Sequence, residues 1–191
     1  MYHIAAGEVI DSLAAAVREL IENALDARAS HLALSLWPER GQIRIADNGS
    51  GMTLEALSQA ATPHSTSKIR DQQDLSEIHS LGFRGEALHS LARLGQLSIC
   101  SRPQAAQAGW RATYSTQGQL VECLPMAQAP GTIVTVQNLF GQWSTRRHRL
   151  PSLSRQLKQV QQVIYHSALC HPQVTWTLNL NDKAWFSISP G

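Results

Sequence analysis

Apolar residues recur along the chain with two different periods, and each period predicts its own kind of element. In residues 8–28 they fall at every third or fourth position, which indicates an amphipathic helix, and similar helical spacing returns in residues 86–94 and 152–169. Thr53 is a suitable N-cap for a shorter helix that continues to Ala61. The pattern therefore predicts four helices.

Alternation of apolar residues with smaller or polar ones predicts the strands. Leu32, Leu34 and Leu36 share one face of the first strand, and a turn over residues 38–41 joins it to the second as a hairpin. The remaining strands are predicted at residues 42–46, 97–102, 109–116, 120–124, 132–137, 174–181 and 184–189. Because strands mostly follow one another instead of alternating with helices, we expect an α+β fold with helices layered on a mostly antiparallel sheet.

Two segments carry no lasting period. Residues 62–84 are dominated by Ser, Thr, His, Gln and Asp, and an irregular stretch of that length in a compact domain is typical of a functional loop. Residues 142–151 are rich in arginine and are predicted to form a basic loop.

The composition narrows the range of functions. The 191 residues suit one large domain, or one domain with the beginning of a second, and 43% hydrophobic residues suffice for a packed core. A formal net charge of +2 is too balanced to indicate nucleic-acid binding by itself. Cys100, Cys123 and Cys170 are widely spaced, which favours a reducing compartment, and no apolar run is long enough for a membrane span. We therefore expect a soluble intracellular protein.

The first predicted helix carries polar residues opposite its apolar stripe. At about 100° per residue, Glu19, Asn23 and Asp26 fall on one narrow face. Such a face can simply be solvated, but asparagine is a poor choice inside a helix unless its side chain has a task. An amide oxygen can ligate Mg²⁺ while a nearby carboxylate orients a water molecule as general base.

The second predicted strand is followed by an acid of the same parity. Ile43, Ile45 and Asp47 point to one face if the strand continues; if it stops one residue earlier, Asp47 only caps the turn. A buried carboxylate requires a hydrogen-bond donor, and an exocyclic amine such as that of adenine would supply one. Gly49 and Gly51 would then allow positive φ angles and the close approach of a flat ring.

Two short motifs enclose the long loop. Residues 65–68 read Ser-Thr-Ser-Lys, and residues 81–87 place two glycines just before a helix. The amides of Gly82 and Gly85, with the free N–H groups of the first helical turn, would form an anion site for phosphates, to which Lys68 could contribute. A glycine hinge before a capped helix is the alternative. The Walker A pattern is absent.

Together, and in this order, these motifs resemble the GHKL ATPase superfamily, and within it the MutL family of DNA mismatch repair proteins. The similarity covers residues 4–9, 18–27, 47–52, 66–69 and 81–88, and it returns at residues 131–132 and 138–140. Beyond residue 150 only the order of the elements agrees.

The resemblance implies a Bergerat-type sandwich in which Mg·ATP lies between helices and sheet. By motif position, Glu19 is the general base that activates water for slow hydrolysis, and Asn23 ligates Mg²⁺. Asp47 reads adenine, with Gly51 against the base and Thr132 supporting the contact through water. The resemblance also assigns nucleotide contacts to Gly49, Met52, Thr66, Ser67, Lys68, Gly82, Phe83, Arg84, Gly85 and Glu86.

The resemblance implies a wider task as well. In the family, ATP binding dimerises the N-terminal regions and hydrolysis resets them, which links mismatch recognition by a MutS-type protein to incision of DNA. We expect residues 1–191 to be the Mg-dependent ATPase domain, a fragment without the transducer subdomain and the C-terminal dimerisation domain. The missing subdomain supplies a lysine to the γ-phosphate, so the ATPase activity of this fragment is expected to be weak or absent. The fragment is also expected to be monomeric. The full-length protein is expected to be a homodimer when ATP is bound, in the bacterial cytoplasm and at the nucleoid during repair, with no membrane partner.

Some features depart from the family or leave alternatives open. Arg28 follows the first helix where a left-handed cap favours glycine. The basic cluster Arg146, Arg147, His148 and Arg149 could meet DNA phosphates or form a solvated loop. A nucleotide-dependent switch with little turnover and a phosphotransferase of the histidine-kinase kind are the other readings; Glu19 argues against the first, and residues 66–68 and 82–88 argue against the second.

Overall fold

The computed structural model describes residues 10–63 and 86–191. Its helices are α1 (Leu13–Asp26), α2 (Leu54–Gln59), α3 (Ala87–Leu94), α4 (Ser144–His148) and α5 (Leu153–Cys170). Its strands are β1 (His31–Trp37), β2 (Gln42–Asp47), β3 (Gln96–Arg102), β4 (Gly109–Tyr114), β5 (Leu120–Met126), β6 (Gly131–Gln137), β7 (Thr175–Leu180) and β8 (Lys183–Ile188). The predicted helices and strands are all present, with ends that differ by a few residues. Among the described residues, no helix is both long enough and apolar enough to cross a membrane.

The strands of the described ranges form one sheet in the order β5-β4-β3-β6-β2-β1-β7-β8. Every neighbouring pair is antiparallel except β1 and β7, which run parallel. The predicted hairpin of β1 and β2 is confirmed, and the short 3₁₀ turn Pro38–Arg40 closes it. The sheet is therefore mixed but mostly antiparallel, as the sequence predicts.

One face of the sheet forms the core. Leu34, Ile45, Val134 and Ile99 are neighbours across four adjacent strands, and all four are buried. Helices α1, α2 and α3 contact the sheet, and α5 packs along α1. Their apolar stripes cover this face, which explains the alternating burial along the strands.

Helix α1 has well-defined ends, and they fix the position of its polar face. At its start, the Ser12 hydroxyl accepts a hydrogen bond of 3.0 Å from the backbone N–H three residues later. At its end, the Ala29 N–H donates to the Ala24 carbonyl (3.1 Å) and the Arg28 N–H to that of Leu25 (2.9 Å), the Schellman pattern. Arg28 has a φ of 59°, so an arginine does occupy a left-handed position that favours glycine.

The prediction of a basic loop over residues 142–151 is wrong in its middle, where α4 forms. The Arg147 N–H donates to the Trp143 carbonyl at 2.9 Å, and the Arg146 guanidinium lies 5.5 Å from the centre of the Trp143 ring. None of the five residues of α4 is buried. A helix this short with no buried face has no apolar stripe, so the hydrophobic period could not reveal it.

Candidate functional site

A row of polar side chains interrupts the apolar face of the sheet. Asp47 on β2 pairs with Thr132 on β6, and Thr132 pairs with Ser101 on β3. Thr132 is 5% exposed and Ser101 is 0% exposed, whereas Ile45 and Val134, two positions further along the same strands, form an apolar row. Burying polar groups is costly unless they are hydrogen-bonded. The row therefore marks a place where the fold serves something other than packing.

Asp47 is part of the strand and also closes the turn that follows it. Its carboxylate accepts a hydrogen bond of 2.8 Å from the Gly49 backbone N–H and another from the backbone N–H of Thr132. Burial raises the pKa of Asp47, and these two hydrogen bonds offset the rise only in part. Both sequence-based alternatives, the strand residue and the turn cap, are realised at once. A carboxylate has about four lone-pair sites, so it retains capacity to accept from a ligand.

Ser101 belongs to this row although the motifs did not single it out. Its hydroxyl oxygen lies 2.8 Å from the Met52 nitrogen, 2.9 Å from Thr132 Oγ1 and 3.2 Å from the Gly131 carbonyl oxygen. It thereby fastens the loop after β2 to the start of β6. A signal was present in the sequence, because Ser101 has the same parity as the buried Ile99 and is therefore an inward-facing polar residue.

The glycines around the polar row allow neighbouring backbone segments to approach them closely. Gly51 has a φ of 71°, as predicted, and a Cβ there would lie 2.2 Å from a backbone oxygen at the end of β3. Gly131 has a φ of 126°, and its Cβ would lie 2.0 Å from the Asp47 carbonyl oxygen. The positive φ predicted for Gly49 is wrong. What requires glycine there is its contact with α1, since a Cβ would lie 2.6 Å from the Ala27 carbonyl oxygen.

The polar face of α1 lies on the helix whose end contacts the polar row, because the loop after β2 is hydrogen-bonded to the end of α1. The Ser50 N–H donates to the Ala27 carbonyl at 2.9 Å. Asn23 lies about one helical turn before Ala27, and Glu19 lies about two turns before Ala27. Each step of four residues corresponds to about 6 Å along the helix axis. Asn23 is exposed and Glu19 is half-buried. The predicted metal ligand and general base thus lie on the helix that contacts the loop of Asp47.

The described ends of the long predicted loop lie against each other. In α3, His89 Nδ1 is 3.0 Å from the carbonyl oxygen of Ala61, which follows α2. Glu86 is exposed and precedes α3, where its carbonyl accepts a hydrogen bond of 2.8 Å from the Ser90 N–H. The other predicted residues of this region lie outside the described residues, namely Thr66, Ser67, Lys68, Gly82, Phe83, Arg84 and Gly85.

The side-chain oxygens of the site suit a cation that enters the site with most of its ligands already bound. Within residues 10–63 and 86–191, no three His, Cys, Asp or Glu side chains come together as a metal site. Mg²⁺ usually keeps several water molecules and is held by one or two protein oxygens together with substrate phosphates. The exposed amide of Asn23 fits such a role.

The basic cluster of residues 146–149 lies elsewhere and is partly used within the protein. The Arg146 guanidinium donates to the Ile10 carbonyl at 3.3 Å, ahead of α1. Arg147 lines a hollow of about 420 Å³, as do Arg40 and Gly41, which stand at the opposite end of β2 from Asp47. Arg147, His148 and Arg149 are exposed, so contact with DNA phosphates remains a prediction for these three.

Comparison of the sequence with known proteins identifies a family. Residues 11–137 match the family model described as "Histidine kinase-, DNA gyrase B-, and HSP90-like ATPase". A protein of Nostoc punctiforme named "DNA mismatch repair protein MutL" is 58% identical over 190 residues, which cover 100% of this chain and 34% of that protein. A protein of the same name from Methanoculleus marisnigri is 40% identical over 185 residues, or 94% of this chain and 32% of that protein. The chain spans about a third of the length of these relatives.

Two solved structures share the fold. The "Aquifex aeolicus MutL ATPase domain complexed with ADP" superposes with a TM-score of 0.76 at 24% identity, covering 96% of this chain and 65% of that one. The "N terminal domain of a DNA repair protein" superposes with a TM-score of 0.80 at 25% identity, covering 97% of this chain and 55% of that one. The layering of helices on a mostly antiparallel sheet is therefore common to all three.

Proposed function

The chain belongs to the histidine kinase-, DNA gyrase B- and HSP90-like ATPases, and from this premise we propose that it binds Mg·ATP at the polar row and serves as the ATPase region of a MutL-type DNA mismatch repair protein. One observation carries the proposal: the half-buried Asp47 and the buried Thr132 and Ser101 form a polar row on an otherwise apolar face, beside the end of α1. The row supplies acceptors for the base, and the helix supplies groups for the metal and the attacking water.

The row recognises adenine. Asp47 is half-buried, and in its ionised form the carboxylate accepts a hydrogen bond from the exocyclic amine. Thr132 stands beside it on the neighbouring strand, about 5 Å away, and supports the same contact through water. A base with a carbonyl oxygen in place of the amine would place one acceptor next to another, the Asp47 carboxylate, and would bind more weakly. Recognition therefore depends on a donor at that position of the ring.

The polar face of α1 handles the metal and the chemistry. The amide oxygen of Asn23 would hold the Mg²⁺ of the Mg·ATP complex, and the ion would supply positive charge to the phosphates. Glu19, one turn further from Asp47, acts as general base and takes a proton from the water that attacks the γ-phosphate. Residues 66–68 and 82–86 contribute to the phosphate cradle; the contact between Ala61 and His89 joins α3 to the residue that follows α2.

The role proposed for the whole protein follows from its similarity to relatives named "DNA mismatch repair protein MutL". In this proposal residues 1–191 are the ATPase domain, and ATP binding brings two copies together in the full-length protein. Its partners are DNA and a mismatch-recognition protein of the MutS type, and it works in the cytoplasm. Slow turnover then resets the dimer.

Calorimetry with Mg²⁺ and a non-hydrolysable ATP analogue tests the site. Asn23→Ala should abolish Mg²⁺-dependent binding, whereas Asn23→Asp, which keeps an oxygen ligand, should retain part of it. Gln162→Ala is a matched control, because it also truncates an exposed amide on a helix but lies on α5. Unchanged affinity in Asn23→Ala would remove this residue from the site.

Hydrolysis requires a separate experiment on the full-length protein. Glu19→Ala should bind Mg·ATP with nearly unchanged affinity and release phosphate at least about a hundredfold more slowly, as expected when a general base is lost. Retained hydrolysis would contradict the role of Glu19. Tight binding with no turnover even in the unaltered full-length protein would favour a nucleotide-dependent switch.

A further inference from the structure

The hydroxyl of Ser101 lies at the centre of the polar row, and its contacts can be assigned one by one. A backbone N–H can only donate, so Ser101 accepts from Met52 at 2.8 Å. A carbonyl can only accept, so Ser101 donates its single proton to Gly131 at 3.2 Å. The third neighbour is Thr132 Oγ1 at 2.9 Å, where either hydroxyl could donate in principle.

Counting donors resolves the third contact. A serine hydroxyl has one proton and two lone pairs. If its proton goes to Gly131, Ser101 must accept from Thr132, and all three contacts are satisfied together. If its proton goes to Thr132, the contact with Gly131 is lost from a hydroxyl that is 0% exposed, and of its two side-chain donors the Gly131 carbonyl keeps only the Gln128 amide at 3.3 Å. Buried polar groups strongly favour full satisfaction, so the first arrangement is the more stable one.

The geometry points to Ser101 as a positioning residue for base selection: by taking the Thr132 proton, it leaves only lone pairs of Thr132 facing the base, beside the carboxylate of Asp47. This inference rests on the proposed function, since it concerns the same nucleotide site. Two adjacent acceptors match an amino group, which carries two hydrogens, or a water molecule that donates to them. They oppose a carbonyl oxygen at the same place.

The expected consequence is a change in selectivity. In Ser101→Ala, the Thr132 hydroxyl is free to turn and can donate to a carbonyl oxygen. Inosine triphosphate has that oxygen in place of the amine of ATP, and the adjacent ring nitrogen then carries a hydrogen. The preference for ATP over inosine triphosphate, expressed as the ratio of their dissociation constants, should therefore fall about five- to tenfold in the variant, the effect of one hydrogen bond gained or lost.

The experiment measures both Mg-nucleotide affinities for the unaltered chain and for matched variants. Ser98→Ala removes a hydroxyl from the same strand at a position of opposite parity and should keep the ratio. Ile99→Val disturbs the core of the same strand without touching the row, so it shows what a loss of stability alone does. Thr132→Val removes the group through which Ser101 acts, and adding Ser101→Ala to it should change the ratio no further.

The outcomes separate the inference from the proposed function. If the unaltered chain binds neither nucleotide, the proposed function fails and the inference with it. If it binds ATP selectively and folded Ser101→Ala keeps the full ratio, the inference is overturned while the proposed function stands. An additive loss in the Thr132→Val background also overturns it. Should Ser101→Ala not fold, Ser101→Cys replaces it, because a thiol is only a weak donor and acceptor; an unchanged ratio there has the same meaning.

Discussion

The carboxyl group of Asp47 is half-buried, and burial raises its pKa. A proton therefore binds more readily to this group in the folded state than in the unfolded chain. Its contribution to the free energy of unfolding is fully present below the unfolded pKa and is lost as the pH rises through the folded pKa. The ionised carboxylate thus works against the fold, although recognition of the base needs that ionised form.

Asp47→Asn should separate the effect of the Asp47 carboxylate on stability from its effect on nucleotide binding. The amide carries no charge, so we expect a higher free energy of unfolding than in the unaltered chain at neutral pH, with a difference that shrinks as the pH falls through the raised pKa of Asp47. ATP affinity should fall, and it should fall more than the affinity for an analogue without the exocyclic amine. Urea unfolding at neutral and acidic pH, with calorimetry on the same samples, measures both. Equal losses for the two nucleotides would contradict adenine reading by Asp47.

Arg28 offers a test of backbone strain alone. It is exposed and has a φ of 59°, a conformation that costs residues with a Cβ roughly 1–2 kcal/mol. Arg28→Gly removes that strain but makes the unfolded chain more flexible, so a net gain of about 0.5–1 kcal/mol in the free energy of unfolding is expected. Arg28→Ala loses the same side chain and keeps the strain, and it should show no such gain. A gain of similar size in both variants would trace the effect to the arginine side chain instead.

For single residues, the sequence predicts which face of a strand a side chain occupies and how a helix is capped. It does not predict the register in which two strands pair. The inward parity of Asp47 follows from a local pattern, and the left-handed position of Arg28 follows from the glycine that the family usually has there. The contacts of Ser101 depend on the pairing of β3 with β6, and Thr132 is 31 residues away in the chain. No local pattern states which residue of one strand stands opposite which residue of the other.

Among the elements, α2 is short and depends on the sheet beneath it. Only Leu57 of its residues is buried, and the Leu57 carbonyl accepts a hydrogen bond from the Tyr114 hydroxyl on β4. Burial raises the pKa of Tyr114, which keeps this hydroxyl a donor. A helix of six residues has little stability of its own, so this contact fixes its position.

Tyr114→Phe should therefore destabilise the protein by about 1 kcal/mol, since it removes a buried hydrogen bond and leaves the Leu57 carbonyl with the Ala60 N–H at 3.2 Å as its donor. Tyr165→Phe is the matched control, because Tyr165 lies exposed on α5 and its ring contact with Phe186 survives the loss of the hydroxyl. Urea unfolding of both variants gives the comparison. Equal stability of the two would show that the Tyr114 hydroxyl does not hold α2.

The elements also show where prediction from periodicity ends. Helix α5 and strand β6 have regular apolar stripes and were predicted nearly to the residue. Strand β5 has no buried residue, so its end at Met126 lies beyond the predicted one at residue 124. Helix α4 was missed for the same physical reason: an element without a buried face leaves no pattern in the sequence.

The whole molecule brings together residues that are far apart in sequence. One helix and three strands, α1, β2, β3 and β6, supply the groups of the candidate site between Glu19 and Thr132. The sheet order places β6 between β2 and β3, so Thr132 lies between Asp47 and Ser101. The family resemblance predicted the fold and most of these residues, whereas their hydrogen-bond connections required the three-dimensional arrangement.

A crystal structure of the chain with Mg²⁺ and a non-hydrolysable ATP analogue tests the central claim most directly. The account predicts the exocyclic amine of adenine within hydrogen-bond distance of the Asp47 carboxylate, Thr132 beside it, and Mg²⁺ on the amide oxygen of Asn23. A nucleotide bound away from Asp47, with the Asn23 amide directed into solvent and no metal on it, would contradict the account.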